Sequence, residues 1–179
     1  MCKVTLRQEL LPHPLAPRGP IQFIFATVQH SGGRLSLAFT AAGAIDKVLV
    51  PSPAQPARAD GLWQHTCFEM FMRRPGDDAY LEFNFSPSGE WAAYAFDGYR
   101  SGMRPLDTAP PSSRLVAGAD TIELLVSLPL PPQEWNIGLS AIIEDAQGAI
   151  SYWAICHPSD KPDFHHPGGF ALHFPGLRT

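Results

Sequence analysis

No stretch of this chain holds a helical period. Apolar residues recur instead at alternate positions in short runs, and Gly, Pro, Asp and Asn interrupt the runs. Successive side chains of an extended strand point to opposite faces, so this pattern specifies strands with one buried face. Parallel strands need long crossovers, usually helical, and the chain offers none. An antiparallel arrangement joined by turns is what remains.

The runs are Lys3–Leu10, Ile21–His30, Arg34–Ala41, Asp46–Val50, Thr66–Arg73, Tyr80–Ser86, Trp91–Phe96, Arg114–Val116, Thr121–Leu128, Trp135–Glu144, Ile150–His157 and Phe170–Phe174. Turns are expected at Ser31-Gly32-Gly33, Pro75-Gly76-Asp77, Pro87-Ser88-Gly89, Pro129–Gln133 and Asp145–Gly148. About a dozen short strands at this spacing predict an all-β fold, a two-sheet antiparallel β-sandwich of the jelly-roll or immunoglobulin-like kind. With 179 residues, one domain over 1–179 is expected. The 19 prolines are scattered among apolar runs and read as turn and strand-edge punctuation.

Charge narrows the function. The net charge is −4, and Lys and Arg do not cluster, so neither nucleic acid nor an anionic membrane surface is an expected partner. Nothing approaches the roughly 20 apolar residues of a membrane span. Cys2, Cys67 and Cys156 are an odd number with no metal-type spacing. They read as reduced thiols, and Met1–Glu9 holds no apolar signal core, so a cytoplasmic location is expected.

The stretch from Trp63 to Arg100 carries most of the chemistry. Along its first strand Cys67, Glu69 and Phe71 share one face, opposite Phe68, Met70 and Met72. Along its second, Tyr80, Glu82 and Asn84 share a face, opposite Leu81, Phe83 and Phe85. The wholly apolar faces belong to the core. A suitable hairpin register would gather Glu69, Glu82 and Asn84 into one polar patch framed by Tyr80 and Phe71. Such a face suits a sugar, whose C–H surfaces stack on rings and whose hydroxyls need directional partners. The plain alternative is a solvated outer face.

Trp63 ends a loop, where binding residues are common. Trp153 shares a face with Ser151, Ile155 and His157, opposite Tyr152, Ala154 and Cys156. A core position is the alternative for either ring. Arg100 is expected to neutralise Glu69 or Glu82, or to face a ligand. The segment from His157 to His166 holds three histidines and two aspartates, but in no closed zinc pattern. Asp163 and a histidine are expected to hold this loop shut by capping backbone groups, and the loop to form a groove wall. No nucleophile elbow or glycine-rich phosphate loop is present. Paired glutamates leave a glycosidase open, with a separation the sequence does not set.

Three segments carry a resemblance: Leu62-Trp63-Gln64-His65-Thr66-Cys67-Phe68-Glu69-Met70-Phe71, Tyr80-Leu81-Glu82-Phe83-Asn84-Phe85-Ser86-Pro87-Ser88-Gly89-Glu90-Trp91, and Phe96-Asp97-Gly98-Tyr99-Arg100. Ser151-Tyr152-Trp153-Ala154 with His157-Pro158, then Lys161-Pro162-Asp163-Phe164-His165, extends it. Together these resemble the bacterial DOMON-like proteins, grouped with the family 9 carbohydrate-binding modules. The resemblance implies a β-sandwich with a ligand groove, in a superfamily whose members bind sugars or haem. In the sugar-binding modules two tryptophans clamp a sugar, and a glutamate shortly after the first accepts its hydroxyls. Trp63 followed by Glu69 is similar to that half, and Trp153 is the candidate second clamp. Haem-binding relatives use Met and His ligands, whereas Met70 and Met72 here fall on the core face.

The expected function is therefore a non-catalytic domain binding a small polar, sugar-like ligand. A haem-binding or redox module and a glycoside hydrolase are the alternatives. The candidate ligand-binding residues are Trp63, His65, Glu69, Glu82, Asn84, Arg100, Trp153, His157 and Asp163. No catalytic residue, metal ligand or cofactor is expected, and a protein partner is left open.

Overall fold

The computed structural model describes residues 4–17, 19–31, 33–129 and 133–175. Twelve strands are present among them: β1 (Val4–Pro12), β2 (Ile21–Ser31), β3 (Arg34–Gly43), β4 (Cys67–Arg73), β5 (Tyr80–Phe85), β6 (Trp91–Phe96), β7 (Arg104–Pro105), β8 (Ser112–Ala117), β9 (Thr121–Pro129), β10 (Trp135–Glu144), β11 (Ile150–Ala154) and β12 (Leu172–Phe174). Lys3, Cys2, Gly32 of the first expected turn and most of the Pro129–Gln133 turn lie outside the described residues.

The strands are antiparallel, as expected, but they do not form two separate sheets. They run as one hydrogen-bonded path, β7-β6-β5-β4-β10-β11-β1-β2-β3-β9-β8, with β12 added beside β10. The reason is β1. Its Val4–Leu10 portion pairs with β2, while Leu11 and Pro12 pair with Ala154 and Trp153 of β11. One strand thus turns the corner and joins both halves. The sheet curls over a shared core that includes Leu10, Ile24, Phe39, Phe68, Met70, Phe85 and Phe174. Phe39 of one half meets Phe68 of the other at 5.1 Å between ring centroids. Each such fully buried side chain contributes roughly 1.5–3 kcal/mol of apolar transfer energy.

The expected strand at Asp46–Val50 is absent. Ile45–Lys47 forms a turn of 3₁₀ helix, and Val48 makes an isolated bridge to Asp145. The segment meets β10 only at its end, beyond the last β4 pair at Ile142, where Leu49 N–H donates to the Glu144 carbonyl and Ala146 N–H to the Lys47 carbonyl, so the contact stays a single bridge. The two-residue β7 was not anticipated, being too short to show alternation.

The half built from β4, β5 and β6 is buried on both faces. Its inner face joins the main core. Its outer face carries a second apolar cluster of Phe71, Tyr80, Ala92, Tyr94, Phe96 and Phe170, with Leu62 and Phe164 against it. The segment between β11 and β12 lies over this face. Gly138 permits that approach, because a Cβ there would stand 3.0 Å from the Gly169 carbonyl oxygen.

Candidate functional site

Pairing register sets the site. Glu69 of β4 stands opposite Ser140 of β10 on one side and Asn84 of β5 on the other. One step along, Phe71 stands opposite Glu82, and Glu82 opposite Tyr94. Ile142 of β10 pairs with Tyr152 of β11 on the same face. Two carboxylates and an amide are thereby placed diagonally among aromatic rings, within side-chain reach of one another. A cleft of about 360 Å³ opens over them, within the range of small-molecule sites. It is lined by Trp63, Glu69, Phe71, Glu82, Phe96, Arg100, Met103, Ile142, Tyr152, Pro162, Phe164 and His165. A larger, open depression of about 500 Å³ lies on the outer face of β2, β3, β8 and β9. Its lining includes Thr27, Gln29, Ser36, Arg114 and Ser127, but no aromatic ring and no acid. The cleft over β4 and β5 is the better candidate, because it joins buried polar groups to aromatic walls.

Both glutamates are buried, at 2% exposure for Glu69 and 5% for Glu82. Glu69 Oε2 accepts a hydrogen bond from Ser140 Oγ at 3.0 Å, and Glu82 Oε1 accepts one from Asn84 Nδ2 at 2.8 Å. Burial pushes the Glu69 carboxyl up to about 8, reinforced by the Glu82 charge and opposed by Ser140. Burial likewise raises Glu82, opposed by the Asn84 bond and by Arg100. As a pair they hold a proton well above the ordinary carboxylate range. Asn84 is fully buried, and its Oδ1 has no hydrogen-bond partner among the described residues.

Arg100 does not pair with either glutamate. Its Nη2 donates to Asp163 Oδ1 at 2.7 Å, while Tyr99 Oη donates to Asp163 Oδ2 at 2.6 Å. Arg100 has φ 51°, a left-handed conformation that costs a non-glycine residue about 1–2 kcal/mol. Its backbone N–H donates to Tyr80 Oη at 3.2 Å, so the Tyr80 proton goes to His165 Nδ1 at 2.7 Å. That network leaves the imidazole proton on Nε2, 3.8 Å from Glu82 Oε2. Burial first, then the Arg100 charge, lowers His165 to about 4, so the ring is neutral at pH 7. Asp163 also accepts from the His165 backbone N–H at 3.2 Å, and His166 Nδ1 accepts from Gly168 N–H at 3.1 Å. Side-chain capping therefore closes the loop.

The structure brings four of the nine candidates, Trp63, Glu69, Glu82 and Arg100, to the cleft lining. Asn84 is packed behind Glu82, and Asp163 braces the wall without lining the cleft. Trp63 is 39% exposed, edge-on to Tyr94 at 6.3 Å. Trp153 is not a second clamp. It is 4% exposed in the main core, with its indole N–H donating to Ser151 Oγ at 3.1 Å. Strand alternation sends its neighbour Tyr152 into the cleft instead. His65 points away to Glu144 Oε2 at 2.7 Å. His157 bonds the Leu11 carbonyl through Nε2 at 2.8 Å and packs against His13, at the β1–β11 corner. Cys67 is fully buried, and burial raises its thiol well above its ordinary value, which disarms it as a nucleophile. Met70 and Met72 are in the main core.

Phe96, Met103, Ile142 and Tyr152 line the cleft without having been expected to, while Pro162, Phe164 and His165 come from the loop expected to form a wall. For Phe96 and Tyr152 the alternation on β6 and β11 carried the signal. For the others, long-range packing decides. Among the described residues no group of three or more His, Cys, Asp and Glu side chains could hold a metal ion, and no helix is long and apolar enough to cross a membrane.

No family model matches the chain, and no curated protein matches it. Among solved structures, the crystal structure of a putative carbohydrate-binding protein from Bacteroides uniformis is similar, with a TM-score of 0.69 and 16% sequence identity. The similarity covers 94% of this chain and 84% of that one. At that identity it establishes a common all-β antiparallel fold.

Proposed function

We propose that this chain is a single non-catalytic ligand-binding domain that holds a small polar, sugar-like molecule in the cleft. The observation that carries the reading is the floor of buried carboxylates, Glu69 and Glu82, set among the rings of Trp63, Phe71, Phe96 and Tyr152. Carboxylate oxygens accept hydroxyl protons, and flat rings cover the C–H faces of a pyranose. The fold likeness to a protein named for carbohydrate binding supports the same class, as does the sequence resemblance to DOMON-like proteins and family 9 modules. In this reading Trp63 with Tyr152 and Phe164 replaces a two-tryptophan clamp. A cytoplasmic location rests on the cysteine pattern, and Cys67 and Cys156 are both free.

Titration of intrinsic tryptophan fluorescence with a panel of monosaccharides and disaccharides tests this. A saturable change with at least one sugar, abolished in Trp63→Ala, is expected. A flat response to the whole panel contradicts it.

One observation favours a second reading. Glu69 and Glu82 stand diagonally on paired strands at the cleft floor, and burial raises both carboxyls, which sets an acid beside a base as glycoside cleavage needs. Release of reducing ends from oligosaccharides, lost in Glu69→Gln, would establish it. Intact oligosaccharides after prolonged incubation with saturating protein would exclude it.

A further inference from the structure

The cleft floor is rich in acceptors and poor in cations. Glu69 and Glu82 are buried, yet among the described residues no Lys or Arg forms an ion pair with either. The one arginine in the lining is held by Asp163. His165 faces Glu82 as a neutral ring. Even with one proton shared between Glu69 and Glu82, the pair together with Asp163 and Arg100 keeps one negative charge in excess. Asn84 adds an independent sign. It sits on the same face as Glu82 and directly opposite Glu69, and its buried Oδ1 accepts nothing among the described residues. A buried acceptor without a donor is destabilising, and an uncompensated buried charge more so. Neutral hydroxyls would satisfy acceptors but leave the charge uncompensated. An ammonium group brings three donors and a positive charge together. Phe71, Phe96 and Tyr152 line the same space, and an aromatic ring attracts a cation placed over its face.

We infer that the ligand presents a protonated amine to Glu69 and Glu82, which makes an amino sugar the favoured class. This rests on the reading of the cleft as a sugar site and narrows it. The titratable and charged groups around the pair are Cys67, Tyr80, Tyr94, Asp163, Arg100 and His165. Of these, none supplies a cation free of another partner. Docking of an ammonium favours the ionised carboxylates, so it expels the proton the pair shares.

Calorimetric titration of the full chain near neutral pH, in two buffers of different ionisation enthalpy, tests the inference. The probes are 2-amino-2-deoxyglucose and 6-amino-6-deoxyglucose, with glucose, N-acetylglucosamine and cyclohexylamine as comparisons. At least one amino sugar is expected to bind about tenfold or more tighter than glucose and N-acetylglucosamine, as a charged hydrogen bond does over a neutral one. Proton release should accompany amino-sugar binding and be absent with glucose. Glu69→Gln and Glu82→Gln should remove the preference, and the wild-type comparison decides the matter even if a variant fails to fold. If glucose and the amino sugars bind alike, the amine inference falls while the sugar site stands. If cyclohexylamine binds as tightly as the amino sugars, the amine contact stands and the sugar reading falls. Binding by none of the five overturns both.

Discussion

Glu69 and Glu82 are carboxylic acids held where water cannot fully solvate their anions. A raised folded-state value means the folded chain binds the proton more tightly than the unfolded one. The resulting penalty is absent below about 4.5, the ordinary value, and grows as pH rises through about 8. Glu69→Gln should therefore stabilise the ligand-free protein at alkaline pH by about 1–3 kcal/mol, with no gain near pH 4. Urea midpoints measured across that range check this, and equal effects at both ends would refute it. His165 acts with the opposite sign. Its lowered value leaves its contribution intact above about 6.5 and removes it as pH falls through about 4. Much at this scale was legible in the sequence. Period-2 alternation put Glu69, Glu82 and Asn84 on one face, and the register joined them. The same alternation separates Tyr152 from Trp153, and the family resemblance pointed to the tryptophan as a clamp, whereas the strand's core-facing side claims it. The Arg100–Asp163 pair spans 63 residues, and no local pattern announces it.

The wall between β11 and β12 depends on a few polar ties. Asp163 gathers Tyr99, Arg100 and the His165 backbone. Arg100 is half exposed, so its ion pair contributes little by itself, but the three bonds together fix the segment. Asp163→Ala should cost about 1–2 kcal/mol. It should also speed amide hydrogen exchange in 158–169 while leaving β2 and β3 unchanged. Uniform exchange before and after the substitution would contradict that role. Gly138→Ala probes the same wall from below, because the added Cβ meets the Gly169 carbonyl. A loss of about 1–3 kcal/mol, typical of overpacking, is expected in thermal melts. Strand existence was readable from alternation, as in β2, β3 and β9. The 3₁₀ turn at Ile45–Lys47 was not, because the segment reaches only the end of β10, past its last pair with β4, and tertiary placement rather than alternation decides that.

At the scale of the molecule, β1 decides between two sheets and one. Composition and turn spacing predict antiparallel strands over a common core, and both are present. The corner at Leu10–Leu11 is a matter of which edge each half of β1 meets, which alternation alone does not encode. Phe39 and Phe68 hold the halves together across that core. Truncation of either to Ala should cost about 3–5 kcal/mol, and the double variant less than the sum, since the rings touch. The curl leaves the outer face of β4, β5 and β6 free to be roofed by the 158–169 segment, and that roof makes the cleft. The most direct test of the cleft as the ligand site is two-dimensional ¹H–¹⁵N NMR during sugar titration. The four indole N–H signals report separately. The account predicts that Trp63 shifts, together with backbone amides of Phe71, Glu82, Tyr152 and His165, while Trp135 and Trp153 stay in place. Shifts confined to the serine- and threonine-rich face of β2, β3, β8 and β9, or none at saturating sugar, would contradict it.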